Sequence, residues 1–268
     1  MTTTALEART WRRFTLGQRI ARFAVYLGMI IAIVASLRSV EVIPEFMLDA
    51  PEQMADLLKR MWPVAFSYYP KGVHEALVET LHIATLGTIL AVAMAFPIGV
   101  MAAHNITPSR PLNFIARLLL VSSRSVNSLV WALLFVAVFG PGALAGTLAI
   151  AFRSIGFIGK LIGEALEEAN KGTIEALTAV GAPWFSVLTK GYWPQIEPAF
   201  WSVALFRWDI NVRESAVLGL VGAGGIGMAL DTAMNLFQWD RVAMVLVAIF
   251  AVVIIAEIAV TQIRKRIL

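Results

Sequence analysis

The stretch VLGLVGAGGIGMAL, residues 217–230, decides between two very different folds. It contains Gly222-x-Gly224-x-x-Gly227, which is the glycine spacing of dinucleotide-binding loops, and Asp240 follows at about the distance at which such loops place an acid. That fingerprint works only inside a parallel sheet, so further strands must follow it. A short helical segment and one long apolar segment follow Gly227 instead. We therefore exclude a dinucleotide-binding domain and interpret the glycines as part of a helical protein.

The composition is that of a membrane protein. Hydrophobic residues make up 59% of the chain and charged residues 15%, and the mean hydropathy is +0.75. Soluble domains are nearer 45–50% apolar and about 25% charged. The sequence has no cysteine, which excludes disulfides, thiolate metal sites and cysteine nucleophiles. The net charge of +4 is expected to mark cytoplasmic loops, and no nucleic-acid partner is predicted.

Six apolar segments are long enough to cross a bilayer, since about 20 helical residues span its hydrocarbon core. They predict an all-α polytopic membrane protein, with a six-span transmembrane domain over residues 20–268 in contact with membrane lipid. An uncleaved first span is favoured over a signal peptide, because no clear small-residue cleavage site follows it before Pro44. The predicted spans are Ile20–Leu37, Ala76–Ala103, about Leu112–Phe139, Ala143–Ala165, Tyr192–Val217 and Val242–Ile263.

Basic residues indicate the orientation of these spans, because cytoplasmic loops are enriched in lysine and arginine. Residues 1–19 form a basic N-terminus, and the chain ends with Arg264-Lys265-Arg266. Both termini are therefore expected in the cytoplasm, and the protein is expected in the bacterial inner membrane. The N-terminal arginines, including two at the start of the first span, are Arg9, Arg12, Arg13, Arg19 and Arg22.

The outer loop over residues 42–75 is predicted to contain an amphipathic helix. Asp49-Ala-Pro-Glu52 has the pattern of a helix start, with a capping Asp, a proline in the first turn and a Glu three residues on. The apolar face of this helix lies on the membrane surface or packs against the spans, and both alternatives stay open. Its members are Met54, Leu57, Leu58 and Met61.

The glycine-rich stretch is predicted to interrupt the helix at the end of span five. Glycines let helices approach closely or bend, and non-helical backbone at membrane depth is stable only when protein shields it or it lines a wet cavity. The expected result is a break followed by a re-entrant or interfacial helix. The candidate gate or hinge residues are Gly219, Gly222, Gly224, Gly225 and Gly227.

Two segments resemble a known family. RWDINVRESAVLGLVGAGGIG, residues 207–227, resembles phosphonate ABC transporter permeases, which belong to the type I importer permeases together with methionine, phosphate and glycine betaine members. EALTAVGAPWFSVLTKGYWPQIEP, residues 175–198, resembles the cytoplasmic loop motif of that family, although Leu177 replaces an Ala and Trp193-Pro194 takes the Leu-Pro place. The resemblance covers about residue 20 to the C-terminus.

The resemblance implies the type I ABC importer permease fold and three protein partners. These are a second copy of the chain, an ABC ATPase subunit and an extracytoplasmic phosphonate-type solute-binding protein. The cytoplasmic coupling loop, residues 166–191, would seat a short helix in the ATPase. The chain has no Walker A motif, so ATP and Mg are expected on the ATPase subunit and no cofactor or metal on this chain. The implied coupling residues are Glu175, Ala176, Leu177, Gly181, Ala182 and Trp184.

The spacing of apolar residues in this loop supports the same interpretation. Ile174, Leu177, Gly181 and Trp184 recur at helical spacing and predict one apolar face. A cytoplasmic helix has to bury such a face against a partner or, as the alternative, against its own span ends. In the first case Gly181 would permit close approach of the ATPase, and Glu175 would fix the orientation of the helix through hydrogen bonds at its N-terminus.

Charged residues inside the spans are costly and therefore candidate functional residues. Four arginines against two acids leave an excess of two positive charges, which suits a phosphonate or phosphate because a guanidinium binds its oxygens bidentately. Arg213 is the leading candidate, and Asp209 can pair with it one turn away. The alternative is that each remaining arginine pairs with a carbonyl or a neighbouring chain. The predicted pathway residues are Arg124, Asn127, Arg153, Arg207, Asp209, Asn211, Arg213 and Glu214.

The sequence therefore predicts the transmembrane permease subunit of an ATP-driven importer of phosphonates or related phosphorus oxyanions, without enzymatic activity of its own. Three alternatives stay open. The chain could be a permease of the same family for phosphate, methionine or glycine betaine. It could be a secondary carrier driven by an ion gradient, or a structural membrane subunit that transports nothing.

Overall fold

The computed structural model of the chain describes residues 14–40, 43–107 and 109–267, and every regular element in those ranges is helical. The predicted basic N-terminus, residues 1–19, lies outside the described residues as far as residue 13. The chain divides into two units, residues 1–56 and 57–268.

Two helices begin in the first unit. Helix α1 (Leu16–Ser39) contains the first predicted span, and Thr15 and Gln18 form a capping box at its start. Helix α2 (Pro44–Arg60) is the predicted amphipathic helix, and the predicted start at Asp49 is wrong. Pro44 begins the helix because a first-turn residue needs no backbone N–H, and Pro51 lies inside it. None of the described residues of either helix is buried.

Helices α3 (His74–Ala102) and α6 (Ala143–Glu168) form the centre of the second unit and run parallel to each other. A 3₁₀ turn and a π turn, residues 66–73, lead into α3. The two helices touch through small residues: a Cβ added at Gly99 would lie 2.8 Å from the carbonyl oxygen of Gly159. Since only glycine permits so close an approach, the glycines of these spans set the distance between the two central helices.

The third predicted span, Leu112–Phe139, is bent. It consists of α4 (Arg110–Ser125) and α5 (Ser128–Phe139), which meet at an angle of 91°. Asn127 causes the break, because its side chain accepts a hydrogen bond from the backbone N–H of Leu129 at 3.2 Å and starts a new helix.

The fifth predicted span is α9 (Trp193–Leu218), which runs antiparallel to α3. A 3₁₀ turn (Gly219–Val221) and a 41° bend separate it from α10 (Ile226–Asn235), as the glycines predicted. Helix α11 (Trp239–Ile267) is the last span. In the described residues four helices are single candidate spans, and each of the two bent pairs counted as one span gives the predicted six.

The two ends of the second unit carry different structures. At one end lie the short helices α7 (Lys171–Ala179) and α8 (Trp184–Ser186), followed by a π turn (Val187–Tyr192). We call this the loop end. At the opposite end the segment Gly219–Gly227 joins α9 to α10, and we call this the glycine end.

Candidate functional site

A network of buried polar side chains joins the three central helices. Asn211 of α9 is fully buried, and its Nδ2 donates to Oγ1 of Thr88 in α3 at 2.8 Å. Its Oδ1 accepts from Oγ of Ser154 in α6 at 3.2 Å, and that hydroxyl also accepts from Nε of Arg207 at 2.9 Å. Because buried polar groups are stable only when they are hydrogen-bonded, this network fixes how α9 packs against α3 and α6.

Two arginines share the carboxylate of Glu214. Nη2 of Arg207 donates to its Oε2 at 3.3 Å, and Nη1 of Arg153 donates to its Oε1. The side chain of Arg207 is 5% exposed and that of Arg153 is 28% exposed. Two cations and one anion leave one positive charge in excess. Arg153 is the more exposed of the two arginines.

Arg213 directly precedes Glu214 on α9 and lies about a third of a turn round the helix from Arg207. Its guanidinium pairs with Asp209 one turn earlier, so the predicted pairing is present. The side chain of Arg213 is 48% exposed and that of Asp209 is 9% exposed. Oδ1 of Asp209 is buried and has no hydrogen-bond partner within the described part of the chain. The charge of Arg213 is therefore compensated by its own helix.

The ion pairs Arg153–Glu214 and Arg213–Asp209 are carried by α6 and α9. The rings of Phe157 and Phe206, 6.0 Å apart, join the two helices there. Arg153 lies ten residues into α6 and Arg213 twenty residues into α9, about 15 and 30 Å from the starts of these helices. We call Arg153, Asp209, Arg213 and Glu214 the charged face.

Arg124 and Asn127 lie away from the charged face. Arg124 is exposed near the end of α4 and makes no hydrogen bond or ion pair with any described residue, whereas Asn127 is the cap of α5. The backbone of α4 is fixed beside Arg124, because Oγ of Ser123 accepts from the backbone N–H of Gly156 at 3.1 Å and donates to the carbonyl oxygen of Phe152.

The glycine segment is packed tightly against itself and α3. Gly222, Gly224 and Gly225 have φ values of 82°, 82° and 75°, which residues with a side chain rarely adopt. A Cβ added at Gly225 would lie 2.6 Å from Oγ1 of Thr80, and that hydroxyl accepts from the backbone N–H of Ile226 at 2.7 Å. These contacts anchor the break to the bundle. The gate or hinge role of the glycines stays a prediction.

The loop over residues 166–191, for which a coupling role stays a prediction, is held to its own chain. Oδ1 of Asn170 caps α7 by accepting from the backbone N–H of Gly172 at 2.9 Å, and Gln195 accepts from the backbone N–H of Asn170 at 2.8 Å. Among the described residues Glu175 makes no hydrogen bond, so the capping role at the start of α7 belongs to Asn170.

The predicted apolar face of the loop, Ile174-Leu177-Gly181-Trp184, is wrong in part. Ile174 and Leu177 pack inward, and Cδ1 of Leu177 would lie 3.1 Å from a Cβ added at Gly191. These two side chains therefore pack against the span ends of their own chain, which was the alternative to packing against a partner. Gly191 has no side chain, and the space that it leaves receives Leu177.

Gly181 ends α7 instead of lying within a longer helix. Its φ is 77°, its N–H donates to the carbonyl oxygen of Thr178 at 3.0 Å, and no described atom lies within 4 Å of a Cβ added there. Backbone conformation therefore requires this glycine. The turn leaves three large apolar side chains exposed at the loop end. They are Val180, Trp184 and Phe185, of which sequence reasoning found only Trp184.

An ion cluster lies where α3, α4 and α6 meet near the loop end. Oε1 of Glu167 accepts from Nη2 of Arg117 at 2.7 Å and from the backbone N–H of His104 at 2.8 Å. Nε of Arg117 also donates to the carbonyl oxygen of Ala102 at 3.1 Å. Over the described ranges, no three His, Asp or Glu side chains are grouped so as to hold a metal ion.

Comparison with known proteins identifies relatives that cover most of the chain. Residues 95–268 match the family described as "Binding-protein-dependent transport system inner membrane component". The chain is 38% identical to "Phosphite transport system permease protein PtxC" of Stutzerimonas stutzeri over 220 residues, which are 82% of this chain and 79% of that protein. It is 34% identical to "Phosphate-import permease protein PhnE" of Mycolicibacterium smegmatis over 251 residues, 94% of this chain. The chain spans about half, 47%, of the mycobacterial relative.

The fold is similar to that of a chain in a solved structure described as "Inward facing conformations of the MetNI methionine ABC transporter". The TM-score is 0.63 with 21% identity, over 74% of this chain and 96% of that chain. At that identity the likeness shows the fold alone, and it confirms the predicted type I ABC importer permease fold.

Proposed function

The chain belongs to the family of binding-protein-dependent transport system inner membrane components, and from this premise we propose that it forms half of a translocation pathway for phosphonates or related phosphorus oxyanions. The names of the two relatives, one a phosphite and one a phosphate permease, support this substrate class. The one positive charge by which Arg153 and Arg207 exceed Glu214 supports it independently, because a guanidinium fork matches two oxygens of a phosphoryl group.

The observation that carries the proposal is the half-exposed charge at membrane depth. A charged side chain at the centre of a bilayer costs about 2.5–3.5 kcal/mol on insertion scales, so such residues face water or another protein. In one copy of the chain Arg213 and Arg153 are accessible between the ends of their spans. A second copy that covers this face around a water-filled cavity removes the cost. We therefore infer a homodimer with the charged face on its internal wall.

The distribution of charge makes Arg153 the principal contact with the anion. Arg213 has a carboxylate of its own, whereas Arg153 shares Glu214 with Arg207. When Arg153 turns to a substrate oxyanion, Glu214 keeps Arg207 as its partner and no buried charge is left alone. These ion pairs thus favour Arg153 over Arg213 as the main contact of the anion, whereas the sequence ranked Arg213 first. Competition from Glu214 also keeps the anion from binding too tightly to move on.

The two ends of the bundle suit two different partners. The loop end exposes Val180, Trp184 and Phe185 beside Glu175 and Ala176. In the proposed orientation it faces the cytoplasm and contacts a separate ATPase, which binds ATP and Mg. The glycine end faces the extracytoplasmic solute-binding protein. Both termini then lie in the cytoplasm of a bacterial cell, in agreement with the basic residues there.

Uptake by a reconstituted complex tests this function. The permease is assembled with its ATPase in liposomes, the binding protein is added, and uptake of radiolabelled methylphosphonate, phosphite, phosphate and methionine is measured. We expect accumulation of phosphorus oxyanions that requires ATP inside the liposomes. Accumulation driven by an ion gradient without ATP would identify a secondary carrier, and uptake of methionine alone would refute the substrate class.

A further inference from the structure

A second charged surface lies outside the charged face. An open groove runs between α4 and α6 toward the loop end and has a cavity volume of about 180 Å³. A water molecule takes about 30 Å³ of the liquid, so the groove has room for a small hydrated anion. Its walls carry Arg117, Arg124, Lys160, Glu164 and Glu167.

The ionisable groups of the groove also leave one positive charge in excess. Nη2 of Arg117 is 2.7 Å from Oε1 of Glu167, and Nζ of Lys160 is 3.3 Å from Oε1 of Glu164. Arg124 makes no ion pair or hydrogen bond within the described ranges. Three cations against two acids therefore present a free guanidinium next to a half-exposed ammonium.

The backbone that carries Arg124 is held in place by contacts that do not use its guanidinium. A Cβ added at Gly156 would lie 3.0 Å from the backbone nitrogen of Arg124, and one at Gly159 would lie 2.5 Å from Cδ2 of Leu120. The helices touch there because α6 has glycines at both positions. The guanidinium thus extends from a fixed support into the groove, which is the arrangement that a binding site requires.

We propose that this groove is a second phosphoryl-oxyanion site, with Arg124 and Lys160 as its ligands. Lys160 follows Arg153 by seven residues along α6, a rise of about 10 Å, so the site lies one step nearer the loop end than the charged face. An anion that leaves Arg153 binds Arg124 and displaces Glu164 from Lys160, and the return of Glu164 releases it. The oxyanion is the transported phosphonate or the headgroup phosphate of an anionic lipid. The first case rests on the proposed function.

Protection of a single cysteine tests the site, since the natural chain has none. Val121→Cys places a thiol on the groove wall, and Leu119→Cys places a matched exposed thiol on the same helix outside the groove. Both are made in the full chain assembled with its ATPase in phosphatidylcholine nanodiscs. The rate of alkylation by a neutral maleimide is measured with increasing methylphosphonate, and in parallel discs that contain phosphatidylglycerol.

We expect methylphosphonate to protect Cys at 121 and to leave Cys at 119 unaffected. In the Arg124→Gln background protection should require at least about tenfold more methylphosphonate, as the loss of a charge-assisted hydrogen bond predicts. Glu164→Gln should shift protection to lower concentrations, because it removes the competing carboxylate. Lys160→Gln serves as the second ligand variant if Arg124→Gln does not assemble.

The outcomes separate the two sources of the oxyanion. Protection by phosphatidylglycerol but not by methylphosphonate, again lost in Arg124→Gln, supports the site with a lipid headgroup as its occupant. Equal alkylation under all conditions, or protection that Arg124→Gln and Lys160→Gln leave unchanged, overturns it. Uptake by the wild-type complex is measured in the same preparation. A complex that transports methylphosphonate without protection refutes the groove alone, whereas a complex that transports no phosphorus oxyanion refutes the proposed function.

Discussion

Two sides of α9 each carry an arginine, but one arginine is buried and the other is half exposed. On the inner side Arg207 is buried, its Nε donates to Ser154, and it shares Glu214. On the outer side Arg213 pairs with Asp209 and remains half exposed. Both arginines are in ion pairs, so pairing does not distinguish them. Their surroundings do: Ser154 and Phe157 of α6 lie against Arg207, whereas nearly half of the Arg213 side chain is exposed.

This difference separates structural from transport roles along one helix. An inner polar group that loses its partner costs about 1–3 kcal/mol, which endangers the assembly of the bundle. An exposed ion pair contributes about 0.2–1 kcal/mol, so its loss leaves the fold intact. Substitutions on the inner side should therefore prevent the bundle from assembling. Substitutions on the charged face should leave assembly intact and alter transport.

The largest effect is expected for Asn211→Leu. The variant removes both hydrogen bonds of a fully buried amide and leaves Thr88 and Ser154 without these partners. Thr88 still donates to the carbonyl oxygen of Ala84 at 2.6 Å, but the hydroxyl proton of Ser154 loses its acceptor. One buried unsatisfied donor costs about 1–3 kcal/mol, so we expect a lower unfolding temperature and less monodisperse permease than for any variant of the charged face. Size-exclusion profiles and thermal unfolding in detergent measure the effect, with Arg213→Gln as the control from the outer side. If Asn211→Leu were as stable as the wild type, the inner side of α9 would not be more important for assembly than the outer side.

A smaller effect on stability and a large one on transport are expected for Arg153→Gln. Arg207 keeps Glu214 paired in this variant, so the bundle should assemble as in the wild type. The loss of one charge-assisted contact with the anion, about 1.5–3 kcal/mol, predicts at least a tenfold lower rate of uptake. Arg153→Lys keeps the charge without the fork and should be intermediate. An assembled Arg153→Gln complex with the wild-type rate would remove Arg153 from the pathway.

The smallest effect is expected for Arg213→Gln. Its charge is already compensated by Asp209, so the substitution changes the field in the pathway little. A contribution of up to about 1 kcal/mol corresponds to less than about a fivefold change in uptake. Uptake by Arg213→Gln and by Arg153→Gln in the same liposomes shows which arginine contributes more to transport. A larger loss in Arg213→Gln than in Arg153→Gln would restore Arg213 as the principal contact.

The sequence predicted the parts of the fold that depend on local pattern. Apolar length located the spans, and the glycine cluster located the break after α9. The bend between α4 and α5 was missed because one residue, Asn127, interrupts a long apolar run, and its capping role becomes visible only in three dimensions. The inward packing of Leu177 was missed for a related reason, since it depends on the space beside Gly191.

The same limit applies to the candidate site. The pairing of Asp209 with Arg213 was predictable because one helical turn separates them. Arg153 and Glu214 are 61 residues apart in sequence, and no local pattern connects them. Thr88 and Ser154 gave no signal beyond being polar residues in apolar spans, so the network around Asn211 appeared only in the structure.

Water accessibility of the charged face tests the central claim most directly. Val217→Cys places a thiol on the exposed side of α9 one turn beyond Arg213, and Ile255→Cys places a similarly exposed thiol on the apolar surface of α11. The rate of reaction with a charged, membrane-impermeant methanethiosulfonate is measured for both in the assembled complex. A water-filled pathway predicts that Cys at 217 reacts at least tenfold faster than Cys at 255. Equal and slow reaction at both positions would mean that lipid covers the charged face, and the proposed pathway would be wrong.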